Sequence, residues 1–130
     1  MNVEVSASAL VVDDSPAMRR QLVHALKRSL GILAVEAADG AEAYKKLVQA
    51  RFDVVLTDVN MPVMDGLKFI ALVRRTEPHR HVPIVVITTE GAAADRERAL
   101  ALGANAYLVK PVQSQQVATA VRDLLGRPRA

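Results

Sequence analysis

Cysteine is absent from the 130 residues, so neither a disulfide framework nor a thiolate metal site is available. Tryptophan is absent too and aromatics amount to 3%, which leaves Ala, Val, Leu and Ile to fill a core. No apolar run approaches the about 20 residues that a membrane span needs. The first residues lack a basic region followed by a long apolar stretch, so no secretory signal is expected, and a soluble cytoplasmic chain is. A hydrophobic content of 51% excludes a disordered chain, and the length suits one domain with a proper core. The formal charge is +3 and the pI about 9.6. Its basic residues are scattered (Arg19, Arg20, Lys27, Arg28; Lys45, Lys46; Arg74, Arg75, Arg80; Arg127, Arg129) without interleaved aromatics. With no recognition-helix or zinc motif beside them, they read as a solvated surface, and direct nucleic-acid binding is not expected.

Residues 1–8 read as a short polar arm. The apolar run 9–12 suits a buried strand. Ser15 then Pro16 is a helix start, and Met18, Leu22, Ala25, Leu26 and Leu30 recur at helical spacing up to Gly31. Residues 33–37 read as a second strand. Helix two covers 41–49, with Ala43, Tyr44, Leu47 and Val48 on one face. "DVVLT", 53–57, is a third strand, apolar enough to be covered on both sides. "DVNMPVMDG" carries loop signals, and a helix follows over 67–75. "IVVIT", 84–88, is strand four, followed by a helix over 93–102 that ends at Gly103. Residues 106–109 and 114–125 give the last strand and helix, with Val117, Val121 and Leu124 inward. The five-fold strand–helix alternation implies a doubly wound α/β domain over residues 9–126, its parallel sheet covered on both faces. "GRPRA" reads as a frayed tail over 127–130 or the start of a linker.

In such sheets ligands bind beyond the C-terminal ends of the strands. Asp13 and Asp14 follow strand one, Asp58 follows strand three, Thr88 ends strand four, and Lys110 with Pro111 follows strand five. Adjacent carboxylates repel, so something nearby must compensate them. Three carboxylates with no cysteine or paired histidine favour a hard cation such as Mg²⁺. A lysine and a threonine hydroxyl complete a site suited to a phosphoryl group, and the Asp58 carboxylate is the candidate nucleophile.

The motifs "VVDDS" (11–15), "LTDVNMPVMDG" (56–66), "VVITTE" (85–90) and "AYLVKP" (106–111) resemble those of the receiver domain of a two-component response regulator, and within that family the single-domain chemotaxis type. The resemblance covers about residues 8–126. It implies a flavodoxin-like sheet of order 2-1-3-4-5 and a phosphorylation-dependent switch. Asp58 would accept a phosphoryl group from a sensor histidine kinase, of the chemotaxis type or hybrid. Asp14 would hold Mg²⁺ directly and Asp13 through water, with Asp58 and the Asn60 carbonyl completing the protein ligands; Mn²⁺ is the expected substitute. Lys110 would pair with Asp58 and then with the phosphoryl oxygens, Thr88 would bond them, and Lys110–Pro111 would be cis. Asn60 and Glu90 would tune hydrolysis. Tyr107 would follow Thr88 and remodel the face of helix four, strand five and helix five, where a target protein docks. The resemblance further implies a monomer that turns over no external substrate and serves chemotaxis or motility, and leaves open a receiver leading a longer regulator.

Plainer readings stand beside these. Asp13 and Asp14 could be capping or turn residues, and Asp58 and Asn60 turn formers. Thr88 or Thr89 could cap helix four. Lys110 alone would be an exposed lysine, Tyr107 a half-buried filler, and Met61 and Met64 loop packing. His24, His79 and His81 lack metal-ligand spacing and are expected at the surface. Among other functions, an aspartate-nucleophile phosphatase would need an acid where Asn60 stands. A flavin or nucleotide binder would need a glycine- or hydroxyl-rich loop in place of "DDSPAM". A receiver-like module working without phosphorylation would not need the full residue set.

Overall fold

The computed structural model describes residues 7–126. Of the expected polar arm, 1–6 lie outside the described residues, as does the expected tail, 127–130. Strands β1 (Ser8–Val12), β2 (Leu33–Ala37), β3 (Val54–Thr57), β4 (Ile84–Thr88) and β5 (Ala106–Val109) alternate with helices α1 (Pro16–Leu30), α2 (Gly40–Leu47), α3 (Gly66–Val73), α4 (Ala93–Leu102) and α5 (Ser114–Leu125). The strands form one parallel sheet in the order β2-β1-β3-β4-β5. Expected boundaries agree to within two residues, the usual fraying of element ends.

Local chemistry sets the helix ends. The Ser15 hydroxyl accepts the Met18 N–H at 3.2 Å and Pro16 opens α1, while Gly31 closes it in the left-handed conformation at φ +66°. Asp39 and Asp65 cap α2 and α3 in the same way. Two adjustments follow for the helices. Val48, expected on the inward face of helix two, lies just past the end of α2 and is exposed. Neither Thr88 nor Thr89 caps α4: its N-cap is Ala92, which makes no side-chain bond.

Side-chain alternation splits the core into two layers. Leu10, Val12, Val55, Ile84 and Val86 face Ala43, Leu47, Phe69, Ile70 and Ala99 of α2, α3 and α4. Ala9, Val11, Leu56, Val85 and Ile87 face Leu22 and Leu26 of α1 and Val117, Val121 and Leu124 of α5. Each large side chain so buried contributes roughly 1.5–3 kcal/mol. The edge strand β2 is different: Leu33 and Val35 are exposed on its open flank, and the Lys46 ammonium donates to the Glu36 carbonyl there.

Three basic residues expected to be solvated are clasps instead. Arg74, half-buried, donates to the Gly103 carbonyl at 2.7 Å and to Asn105 Oδ1 at 3.0 Å, and Asn105 Oδ1 also accepts the Ile84 N–H. Arg19 donates to the Asp13 carbonyl at 2.6 Å and pairs with Glu36. Lys46 pairs with Glu42 as well as reaching β2. His24 and His81 are exposed as expected, but His79 is completely buried. Its Nε2 accepts the buried Phe52 N–H at 3.0 Å, and its ring tilts against the Phe52 ring. A buried N–H must find an acceptor, and here tertiary packing provides an imidazole nitrogen 27 residues away.

The His79→Leu variant keeps the volume and strands that donor. Its unfolding free energy, measured by urea titration, is expected to fall by about 1–3 kcal/mol. An unchanged midpoint would show that the bond contributes nothing.

Candidate functional site

The ladder continues one residue past β1 and β3 and positions two acids. The Asp13 N–H bonds the Ala37 carbonyl at 3.1 Å and the Asp58 N–H bonds the Val12 carbonyl at 3.0 Å. Since Val12 lies opposite Thr57 in the register, Asp13 and Asp58 are side by side. Asp13 is 1% exposed and Asp58 5%, whereas Asp14 turns to solvent. Carboxylate oxygens of all three lie within 4.8 Å of one another.

Lys110 joins them from the far side of the sheet. Its N–H bonds the Thr88 carbonyl at 2.7 Å, and its ammonium donates to Asp13 Oδ2 at 2.8 Å and Asp58 Oδ2 at 2.9 Å. Burial alone would lower the lysine pKa. The bonds to Asp13 and Asp58 and their charges outweigh it, so the group stays above the ordinary lysine range. The Lys110–Pro111 peptide is cis, as is Glu77–Pro78, which carried no comparable sequence signal. The pairing with Asp13 was not foreseen. The Asp13 Oδ1 atom also accepts the Ser15 N–H at 2.9 Å, so the acid braces the start of α1 as well as the site.

The loops complete the rim. The Asn60 N–H donates to Asp58 Oδ1 at 3.0 Å, and its side-chain amide reaches Glu90 Oε1 at 3.5 Å. Thr88 is fully buried and its hydroxyl accepts the Glu90 N–H at 3.2 Å. The half-buried Tyr107 donates its hydroxyl to the Glu90 carbonyl. Glu90 is therefore held at both backbone groups, one by Thr88 and one by Tyr107. Met61 is buried and Met64 packs on the core, as loop packing requires. Between them Val63 is 84% exposed at φ +67°, a strained conformation for a β-branched residue, with the Met64 N–H bonded to the Pro62 carbonyl. Gly66 has a steric role that the sequence alone did not disclose: a Cβ there would lie 2.0 Å from the Asp58 carbonyl oxygen. The start of α3 thus rests directly on the backbone of Asp58.

The donor set is chemically coherent. Three clustered carboxylates offer oxygen ligands only, which suits a hard divalent cation. Lys110 holds a compensating charge on two of these three acids, Asp13 and Asp58.

Acids, hydroxyl and lysine thus meet at the carboxyl edge of a doubly wound parallel sheet, and the chain belongs to the response regulator receiver domain family, whose model matches residues 9–122. It is similar to the chemotaxis protein CheY1 of Helicobacter pylori, 42% identical over 118 residues that span 90% of this chain and 95% of that protein. Among solved structures it resembles the chemotaxis protein CheY4 of Vibrio cholerae, with a TM-score of 0.87 and 38% identity over 92% of this chain and 99% of that one. It also resembles the receiver domain of the sensor histidine kinase PA1611 of Pseudomonas aeruginosa, which holds a magnesium ion in its active-site cleft (TM-score 0.83, 32% identity, 95% and 100% covered).

Two outcomes test this geometry. A Gly66→Ala variant must push α3 off the Asp58 backbone, so its unfolding free energy is expected to drop by about 1–3 kcal/mol, read from denaturant titration. Full retention of stability would mean that the loop yields freely. The second concerns Tyr107. Burial, then the charges of Asp95, Glu90 and Asp58, raise its pKa above the ordinary phenol value. A raised pKa favours the folded state fully below the unfolded value of about 10, and that contribution is lost as pH rises through the folded one. In a Tyr44→Phe variant only Tyr107 remains, and its phenolate absorbance should appear at a higher pH in the folded chain than in denaturant. Coincident titrations would refute the shift.

Proposed function

We propose that this receiver domain is a self-resetting phosphorylation switch with Asp58 as its acceptor, working in chemotaxis or motility control. Its membership of the receiver family and its likeness to chemotaxis proteins agree with a two-component signalling role. The single observation that carries the reading is the Lys110 ammonium shared between Asp13 and Asp58, beside a third carboxylate.

The chemistry follows from positions and charge. A sensor histidine kinase, of the chemotaxis type or hybrid, presents a phosphohistidine in line with Asp58. A carboxylate oxygen of Asp58 bonds to phosphorus as the phosphorus–nitrogen bond breaks, and the imidazole leaves with the electron pair. Lys110 follows the charge from the carboxylate to the phosphoryl oxygens. The Thr88 hydroxyl, which accepts from Glu90 in the present arrangement, rotates to donate to one of those oxygens. A divalent cation, Mg²⁺ or in its place Mn²⁺, held by Asp13, Asp14, Asp58 and the Asn60 carbonyl would supply the remaining positive charge.

The acyl phosphate that forms is a mixed anhydride open to water. The Asn60 and Glu90 side chains, 3.5 Å apart, stand over its approach and set the rate of hydrolysis. Output is conformational. When Thr88 moves, Glu90 loses the bond at its N–H, and the segment that Tyr107 also holds is released. The face of α4, β5 and α5 then changes shape and binds its target protein. The domain acts as a cytoplasmic monomer and turns over no external substrate. Among the described residues no helix is long and apolar enough to cross a membrane.

Intact-mass analysis after incubation with acetyl phosphate and Mg²⁺ tests the core of this reading. Wild type is expected to gain one phosphoryl group and Asp58→Asn none, and chelation should suppress the gain. Equal labelling of Asp58→Asn would reject the acceptor.

A further inference from the structure

Away from the acidic site, α1 and α5 enclose an open groove of about 470 Å³. Its floor is small and apolar, Ala25 and Ala118, and its walls carry His24, Arg28, Arg122, Ser114 and Thr119. Among the described residues no carboxylate lines it. Among the described residues neither Arg28 nor Arg122 takes part in an ion pair, and both are exposed. Helix α1 contains no Asp or Glu at all, while Arg20, His24, Lys27 and Arg28 recur along it. A cation in the last turn of each helix complements the helix dipole, which accounts for Arg28 and Arg122 singly. It does not account for two guanidinium groups facing one cavity with neither an ion-pair partner nor a lining acid among the described residues.

We propose that this groove binds a compact oligophosphate anion. Guanidinium groups bond phosphate oxygens in pairs, and each of these two is free to do so. The hydroxyls of Ser114 and Thr119 add neutral donors along the same helix. The volume lies within the range of small-ligand sites. Among the described residues the floor offers no aromatic ring on which a base could stack, so the phosphate chain itself is what the groove reads. The site shares no residue with the acidic cluster and does not depend on phosphorylation of Asp58.

Isothermal titration with tripolyphosphate in metal-free buffer at fixed ionic strength tests the proposal. Saturable one-to-one binding is expected, weakened about tenfold by Arg28→Gln or by Arg122→Gln. Lys27→Gln, a basic residue of α1 outside the groove, should leave it unchanged. Because all three variants can be checked for unaltered unfolding midpoints, loss of fold is separable from loss of binding. Non-saturating binding, or equal weakening by Lys27→Gln, would overturn the proposal as unspecific attraction. Tighter binding of a Glu-rich peptide than of tripolyphosphate, with the same arginine dependence, would overturn it in favour of a protein-docking surface.

Discussion

Two carboxylates almost sealed from water, on neighbouring strands, are the constraint around which this domain is built. Asp13 and Asp58 are placed side by side by the β1–β3 register, and a backbone bond that extends the ladder fixes the main chain at each. Like charges at that depth are tolerated only with compensation, and the Lys110 ammonium supplies it by contacting both. The lysine in turn is fixed by its N–H on Thr88. The sheet order therefore matters for electrostatics as much as for packing: β1 and β3 bring the acids, and β4 hands the cation across from β5.

The same economy runs through the rim. Asp13 balances Lys110 with one oxygen and braces α1 with the other. Asp58 does likewise, holding Lys110 and the Asn60 N–H on separate oxygens. Glu90 is suspended between Thr88 and Tyr107 by its backbone, leaving its carboxylate to face Asn60. Asp58 is thus joined to Lys110 and Asn60, and through Asn60 to Glu90, Thr88 and Tyr107, by a chain of hydrogen bonds.

Much of this was legible in the residues. Continuous apolar runs marked β1, β3 and β4 because both of their faces are covered, and Ser15–Pro16 and Gly31 marked the ends of α1 because capping is a local property. The convergence of Asp13, Asp14, Asp58, Thr88 and Lys110 followed from strand ends sharing one edge; the sheet order itself was carried by family resemblance. What escaped was set by distant partners. His79 sits in a polar stretch that reads as surface, and only the approach of the Phe52 N–H explains its burial. Arg74 looks like any exposed arginine until Gly103 and Asn105 fold against it. The packing of Gly66 on Asp58 is a contact between backbones, which no side-chain pattern encodes.

The flank of β2 carries a last consequence. An open parallel edge with Leu33 and Val35 outward is a template on which a stray extended segment could extend the sheet. The Lys46 ammonium already occupies the Glu36 carbonyl, and Arg19 pins the Glu36 carboxylate beside it. An incoming strand would have to strip a cation from that carbonyl before bonding to it. Two side chains borrowed from the flanking helices thus act as a guard against runaway self-association, and they do so without lengthening the chain or adding a covering element.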